Sequence, residues 1–304
     1  MKRHWTGMAI LALALTLVSG VCMAADKAPE AKPAEGGAFY TGGAPAAEAI
    51  GWQIGCQAYS FNKFTFFEAV DKTASMGLHT IEAYPGQALS KEHPEIQLSH
   101  DMAKENYALV LDKLKQANVT LRNYGVVGLS NDEAANRKVF EFAKAMGIET
   151  IVSEPPMEAL DLVDKLANEY KINVAFHNHP KPSKYYDYKA VLEACKGHSK
   201  RLGSCADTGH WMRSGINPVE AIKALEGHII SLHIKDLNEA SKDAHDVPWG
   251  SGKADMHAIL TELHRQGFKG VFSAEYEYNW MNSVPEIAEG VKYVNGVAAE
   301  LSKK

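Results

Sequence analysis

Ile229-Ile230-Ser231-Leu232-His233-Ile234-Lys235-Asp236 is the stretch of this 304-residue chain that decides its fold. At a period of two, the side chains separate into an apolar set, Ile230, Leu232 and Ile234, and a polar set, Ser231, His233 and Lys235. A strand that carries histidine and lysine opposite such an apolar face is typical of a barrel. Helices cover the apolar side, and the polar ends of the inner side form a pocket.

Four more stretches are predicted to be strands that end in a metal ligand or an acid–base group. They cover residues 151–154, 174–179, 202–207 and 271–275. The polar groups near their ends are Glu154, His177, His179, Asp207 and Glu275. These groups are far apart in the sequence, so they can act together only if the fold brings the strand ends to one place.

Strand-like and helix-like stretches alternate from residue 52 to residue 301. A short turn with a central glycine (Gly77, Gly147 and Gly267) recurs between a helix and the next strand. Eight strands alternating with eight helices over about 250 residues predict an α/β fold, a single-domain (β/α)8 TIM barrel. An open doubly wound sheet is the main rival, but no glycine fingerprint follows the first strand.

The N-terminal residues are predicted to lie outside the barrel. Residues 1–24 have a basic start, an apolar run and small residues before Ala25, which predicts a cleaved signal peptide. The apolar run is too short for a stable membrane span. Lipoprotein anchoring through Cys22 is disfavoured because Val21 is bulkier than the residue usual at that position. We therefore expect an exported protein, periplasmic or secreted.

Residues 25–48 are rich in alanine, proline, glycine and glutamate, which predicts a disordered linker and leaves residues 49–304 for the barrel. The net charge of −5 argues against nucleic acid as a partner. The cysteines that remain after cleavage are odd in number and do not predict a disulfide framework, although a single Cys195–Cys205 bridge stays open. The oligomeric state also stays open, with a homo-oligomer as one alternative.

The carboxyl ends of barrel strands meet at one mouth, so the polar strand ends are predicted to converge there. Mixed carboxylate and imidazole groups favour one divalent metal ion, Mn2+, Zn2+, Co2+ or Mg2+, over Ca2+. Taken singly, each residue also has a structural explanation: Asp207 could cap a helix, His233 could be a core histidine, and Glu275 could pair with Lys235. Their common location favours a metal site.

Four motifs give the chain a family resemblance. They are Asp207-Thr208-Gly209-His210, His233-Ile234-Lys235-Asp236, Pro248-Trp249-Gly250-Ser251-Gly252 and Gly270-Val271-Phe272-Ser273-Ala274-Glu275. In this order they resemble the xylose isomerase-like TIM barrel superfamily of sugar phosphate isomerases and epimerases, over about residues 52–300. That superfamily includes ketose 3-epimerases, hydroxypyruvate isomerases, inosose dehydratases and the endonuclease IV group.

The resemblance implies one divalent ion held by a Glu, an Asp, a His and a Glu on strands five to eight. Asp207, His233 and Glu275 match, but strand five carries His177 where the family has its Glu. We assign the fourth ligand to Glu154 of strand four, because a further carboxylate better neutralises a divalent ion, with His177 as the alternative. The expected metal ligands are thus Glu154, Asp207, His233 and Glu275.

Such a site supports proton abstraction next to a carbonyl, with the metal stabilising the enediolate. The expected catalytic residues are Glu154, Glu275, His177 and His179, and the expected substrate-binding residues are Glu82, His210, Lys235 and Trp249. Return of the proton makes an isomerase or epimerase acting on a small carbohydrate. Loss of a substituent instead makes a lyase or dehydratase acting on a keto-sugar or 3-keto-glycoside. An endonuclease and a non-catalytic sugar-binding barrel are the weaker alternatives.

Overall fold

Eight parallel strands close into a barrel in the computed structural model, which describes Met1 and residues 38–303. Each strand pairs with the next along the chain, and the eighth pairs with the first. The strands are β1 (Trp52–Gln57), β2 (Thr80–Ala83), β3 (Thr120–Val127), β4 (Thr150–Ser153), β5 (Asn173–His177), β6 (Leu202–Asp207), β7 (Ile229–Ile234) and β8 (Gly270–Ala274). The predicted TIM barrel is confirmed, and the open doubly wound sheet is excluded because the sheet closes on itself.

Helices surround the barrel, and most of them connect one strand to the next. Those of the described residues are α1 (Pro45–Ala49), α2 (Phe66–Ser75), α3 (Tyr107–Ala117), α4 (Glu133–Met146), α5 (Leu160–Tyr170), α6 (Tyr188–Cys195), α7 (Thr208–Arg213), α8 (Pro218–Ala224), α9 (Met256–Arg265) and α10 (Val284–Leu301). Short 3-10 helices cover Ala58–Phe61, Lys104–Asn106 and Met157–Ala159. The main hydrophobic core lies between these helices and the outer face of the barrel.

The folded region begins earlier than the sequence predicts. Helix α1 begins inside the predicted linker of residues 25–48, and the side chains of Ala44 and Ala47 are buried. The backbone N–H of Ala46 donates to Oδ1 of Asn295, 2.8 Å away, which joins this segment to α10. The linker boundary at residue 48 is therefore corrected, because these small apolar residues find a surface to cover. The predicted signal peptide beyond Met1 and the linker up to residue 37 lie outside the described residues.

The predicted glycine turns are present between helices and strands. Gly147 caps the C-terminus of α4 with φ of 73°, a left-handed conformation that glycine adopts without strain. Gly77 and Gly267 have similar backbone angles, with φ of 75° and 67°. Each turn leads the chain from the end of a helix into the next strand.

Several strands end earlier than predicted, and this shapes the mouth of the barrel. Strand β1, which the sequence predicts from Trp52 to Ser60, ends at Gln57. The side-chain oxygen of Gln57 accepts the backbone N–H of Tyr59 (3.0 Å) and starts a 3-10 helix. Strand β8 ends at Ala274, so Glu275 and Glu277 lie in the following loop. Helix α7 begins directly after β6 and was absent from the prediction. These turns bring polar and aromatic side chains over the barrel opening.

Within the described residues, none of the helices combines the length and the apolar character that crossing a bilayer requires. The thiols of Cys56, Cys195 and Cys205 are free and buried, so the Cys195–Cys205 bridge that the sequence left open does not form.

Candidate active site

A buried ammonium group lies at the centre of the barrel mouth. Nζ of Lys235 donates to Oδ2 of Asp207 (2.9 Å) and to Oε2 of Glu275 (2.6 Å). A third carboxylate, Oε2 of Glu277, lies 2.8 Å from the same nitrogen. Burial would lower the pKa of Lys235, but the carboxylates outweigh it and raise that pKa well above its ordinary value. Lys235 is therefore a fixed positive charge that holds three acidic side chains together.

The same ammonium keeps its partners ionised. Burial would raise the pKa values of Asp207 and Glu275, yet both pKa values are well below the ordinary value. The main opposing influences are His210 and Lys235 for Asp207, and Lys235 and His233 for Glu275. Both hydrogen bonds that Glu275 makes among the described residues fall on Oε2. Its other oxygen, Oε1, is thus left to receive a proton from a substrate.

His233 lies deeper, between two carboxylates. Its Nε2 is 2.8 Å from Oε1 of Glu82, and its Nδ1 is 3.2 Å from Oε2 of Glu275. Glu82 is fully buried and also accepts hydrogen bonds from three side chains, those of Gln57, Asn123 and Ser273. Burial would lower the pKa of His233, but Cys205 and the two glutamates raise it well above its ordinary value. Glu82, predicted to bind substrate, thus contacts His233 and these three side chains.

A second cluster lies after strands β4 and β5. Oε1 of Glu154 is 3.3 Å from Nδ1 of His177 and also contacts Nδ1 of His179. The hydroxyl of Ser183 donates to Oε2 of Glu154 (2.7 Å), and the backbone N–H of His179 donates to Oε1 (3.1 Å). Burial would raise the pKa of Glu154, but these hydrogen bonds lower it well below its ordinary value. Glu154 is thus an ionised anchor for both imidazoles.

His177 joins the two clusters. Its ring is fully buried, and Nε2 lies 3.6 Å from Oδ2 of Asp207 without a hydrogen-bond partner among the described residues. Candidate ligand atoms of His177, Asp207, His210 and Glu275 all lie within 4.8 Å of one another. Those of Glu154, His177 and His179 form a second such group. A buried nitrogen without a partner is costly, which marks this position as one that a ligand or ion could satisfy.

The four predicted metal ligands therefore do not form one group. Asp207 and Glu275 belong to the buried group, Glu154 belongs to the neighbouring one, and both ring nitrogens of His233 contact carboxylates. His210, predicted to bind substrate, lies in the buried group instead. Burial is the main reason that its pKa is well below the ordinary value. Its Nε2 lies 3.3 Å from Nζ of Lys235, and its Nδ1 lies 3.2 Å from a guanidinium nitrogen of Arg213.

Backbone geometry fixes Asp207 at the end of β6. Oδ1 of Asp207 accepts the backbone N–H of His210 (2.6 Å) and so caps α7. The side chain of Asn178 accepts the N–H of Asp207 (2.8 Å) and donates to its carbonyl oxygen (2.9 Å). Asp207 is thus both the helix cap and the site carboxylate that the sequence offered as alternatives.

Three residues of the site were missed by the sequence analysis. Arg213, on α7, donates to Oε2 of Glu277 (2.9 Å) and to Oδ2 of Asp246 (3.0 Å). Burial raises the pKa of Asp246 to about 7, against the opposing influence of Lys235 and Arg213. Glu277 has the same strand parity as Glu275, so an available signal was overlooked. Arg213 and Asp246 gave no such signal, because α7 and the Asp236–Leu237 and Asp246–Val247 strand pair were not predicted.

An open cleft of about 320 Å3 lies above these groups. Its wall consists of Gln57, Tyr59, Tyr84, Pro85, Gly125, Val126, His179, Glu275 and Glu277. Trp249, predicted to bind substrate, lies elsewhere: its ring is buried, and its atoms are close to Gly290 of α10. The groups that can meet a substrate are therefore His179, the two glutamates and the tyrosines.

Comparisons with known proteins agree with the barrel fold. A family model described as "xylose isomerase-like TIM barrel" matches residues 70–296. An uncharacterised protein from Parabacteroides distasonis is similar, with 32% identity and a TM-score of 0.66, over 80% of this chain and 98% of that one. A D-tagatose 3-epimerase-like protein has 19% identity and a TM-score of 0.61, over 83% and 97%.

The probable 3-DHS dehydratase AsbF from Bacillus anthracis has 15% identity and a TM-score of 0.60, over 79% of this chain and 97% of that one. At such low identities, the likeness to the epimerase-like protein and to AsbF shows a shared fold alone. No curated protein sequence matches the chain.

Proposed function

The chain belongs to the xylose isomerase-like TIM barrel family, and from that premise we propose that it is a divalent-metal-dependent carbohydrate isomerase or epimerase. The observation that carries the proposal is the placement of acid–base groups on opposite sides of the mouth. His179 follows β5 and Glu275 follows β8, which are three strands apart in a ring of eight, and both residues line the cleft. A substrate between them meets one group on each face, as proton removal and return require.

The donor set fits a divalent ion. Five acidic side chains (Glu82, Glu154, Asp207, Glu275 and Glu277) and two basic ones (Lys235 and Arg213) contact one another or the histidines between them. Counted formally with five acidic side chains, two basic side chains and a protonated His233, whose pKa is raised, the cluster has an excess of two negative charges. A divalent ion would offset that excess.

We propose that Asp207, Glu275, His177 and His210 hold the ion. The partnerless Nε2 of His177 supports this set over one with Glu154 and His233. Glu154 would orient His177 through Nδ1, the contact that a metal-binding histidine commonly makes with a carboxylate. When bound, a divalent ion supplies a Lewis acid that stabilises negative charge developing on the substrate oxygens.

In the proposed reaction, Oε1 of Glu275 removes the proton next to the carbonyl. The lowered pKa of Glu275 keeps it ionised but makes it a weak base, so the reaction depends on strong stabilisation of the enediolate. His179 has the more accessible imidazole, with 47% of its side chain exposed, and Glu154 holds its Nδ1. His179 would return the proton from the other face. Lys235 fixes the orientation of Glu275.

The exposed position of His179 also supports a second candidate, a lyase or dehydratase. A protonated imidazole on the cleft wall can give its proton to a leaving oxygen as well as to carbon. Elimination from a keto-sugar or 3-keto-glycoside needs the same first step at Glu275. Export to the periplasm or the medium, predicted from residues 1–24, remains part of the proposal and would give access to such glycosides.

Product analysis tests the proposed function. The purified protein, loaded in turn with Mn2+, Co2+, Zn2+ or Mg2+, is incubated in D2O with a panel of free ketoses and a 3-keto-glucoside. We expect a product isomeric with its substrate that carries one solvent deuterium. Two fragments, or loss of water, would favour the lyase. No product from any sugar with any of the four ions would refute both candidates.

A further inference from the structure

One wall of the cleft is aromatic. Tyr59 follows β1, Tyr84 follows β2, and Trp280 lies in the loop after β8. Strand β1 pairs with both β2 and β8, so these rings come from three neighbouring strands on one side of the mouth. The ring of Tyr59 is edge-on to the ring of Tyr84 (5.2 Å between centroids) and to that of Trp280 (5.8 Å). We call these three residues the aromatic wall.

The aromatic wall is not part of a filled core. Tyr59 is 40% exposed, and Tyr59 and Tyr84 both line the cleft. Gln57 fixes the position of Tyr59 by accepting its backbone N–H and also donates to Glu82, 3.0 Å away. The wall is thereby joined to the acid–base site. Exposed aromatic faces beside a polar site suit a ligand with one apolar face and polar edges.

The charges of the cleft oppose an anionic ligand. Among the described residues that line it, Glu275 and Glu277 are acidic, and none is lysine or arginine. Lys235 is fully buried beneath three carboxylates, and Arg213 is held by Glu277 and Asp246. Burial raises the pKa of Tyr84 to about 12, so its hydroxyl is neutral. A phosphate group needs free cations or backbone N–H donors, and this cleft offers it acidic neighbours.

Resting on the function proposed above, we propose that the substrate is an uncharged pyranose that carries its carbonyl as a ketone on a ring carbon, stacked on the aromatic wall, and not a phosphorylated sugar. The apolar face of a pyranose ring lies against Tyr59 and Tyr84, and its polar edge points to Glu275. His179, which follows β5 across the mouth, faces the ring from the other side. The aromatic wall thus selects a ring, and the acidic lining rejects a phosphate.

Binding measured without turnover tests this inference. Saturation-transfer NMR and tryptophan fluorescence would compare the methyl pyranosides of glucose, galactose and mannose with the 6-phosphates of the same hexoses, on Mn2+-loaded protein. We expect at least one pyranoside to bind with saturation transfer to its ring protons, and every 6-phosphate to bind at least about tenfold more weakly. Tyr59→Ala should weaken pyranoside binding about three- to tenfold, since an aromatic contact contributes about 0.5–1.5 kcal/mol.

Tyr59→Phe is the matched control and should bind like the wild type, because it keeps the ring and loses only the hydroxyl. Equal or tighter binding of the phosphates, an unaffected Tyr59→Ala variant, or failure of all three pyranosides to bind would each overturn the inference. The proposed function is tested separately. Turnover of a phosphorylated ketose would support the proposed function and refute this inference. Binding of a pyranoside without turnover of any sugar would support this inference and refute the proposed function.

Discussion

Replacing Lys235 with methionine removes the ammonium group that the buried carboxylates of Asp207 and Glu275 share with the partly buried carboxylate of Glu277. Asp207 and Glu275 are then left in a buried site without their main counter-charge. Removing one partner of a buried ion pair costs about 3–5 kcal/mol, and the shared contacts place Lys235→Met at or above that range. For a domain of this size the loss corresponds to a fall in Tm of roughly 6–20 °C.

Urea unfolding followed by circular dichroism would measure the effect on the metal-free protein. Lys223→Met is the matched control, because Lys223 pairs with Glu220 on the surface, with half or more of each side chain exposed. Such a pair contributes about 0–1 kcal/mol. Equal losses for the two variants would refute the central role that we assign to the buried ammonium.

The pH dependence adds a second check on Lys235→Met. The pKa values of Asp207 and Glu275 are lowered in the folded wild type, so their ionised forms stabilise it above the unfolded-state pKa values. That contribution is lost as the pH falls through the folded-state pKa values. The variant lacks it already, so the difference in stability between wild type and variant should shrink as the pH falls below the ordinary values of 3.8 and 4.5, towards the folded-state pKa values. A difference independent of pH would contradict the proposed cause.

Three further changes test other parts of the structure. The pKa of Asp246 is raised to about 7, so the folded wild type should lose stability, on the order of 3 kcal/mol, as the pH rises from about 4 to about 7. Urea unfolding across that range should show no such loss for Asp246→Asn. Parallel pH dependences of wild type and variant would contradict the assignment. A Cβ on Gly203 would lie 2.3 Å from the carbonyl oxygen of His228, whereas one on Gly128 would have no heavy atom within 4 Å. Gly203→Ala should therefore cost about 1–3 kcal/mol or more in urea unfolding and Gly128→Ala much less, and the reverse order would count against the strand packing described above. In titrations with Mn2+, His177→Gln should weaken metal binding more than Glu154→Gln does. The reason is that we assign His177 as a ligand and Glu154 as the group that orients it. The opposite order would restore Glu154 as the ligand.

The fold could be predicted because its signals are local and repeated. The alternation of Ile230, Leu232 and Ile234 with polar residues describes a barrel strand, and glycine turns such as that at Gly147 mark where helices end. Boundaries at the mouth were harder to predict. The side-chain cap that Gln57 provides to Tyr59 ends β1 early, and no periodic pattern announces that contact.

The site could be predicted as a set of strand ends but not as a set of contacts. His233 was predicted to be a ligand, but Glu82 and Glu275 contact both of its ring nitrogens. Trp249 lies in the core because it packs against Gly290, whose missing side chain leaves room for the ring. The register of distant strands decides which nitrogen or carboxylate oxygen faces the cleft. That register could not be predicted from the sequence alone.

The most direct test of the account is deuterium exchange at the carbon next to the carbonyl of a bound substrate, measured by NMR for the wild type and for Glu275→Gln. Glutamine keeps the size of the side chain but cannot accept the proton. The wild type should incorporate solvent deuterium, and Glu275→Gln should do so about 10²–10⁴-fold more slowly. Undiminished exchange in a folded Glu275→Gln variant would contradict the role given to this carboxylate.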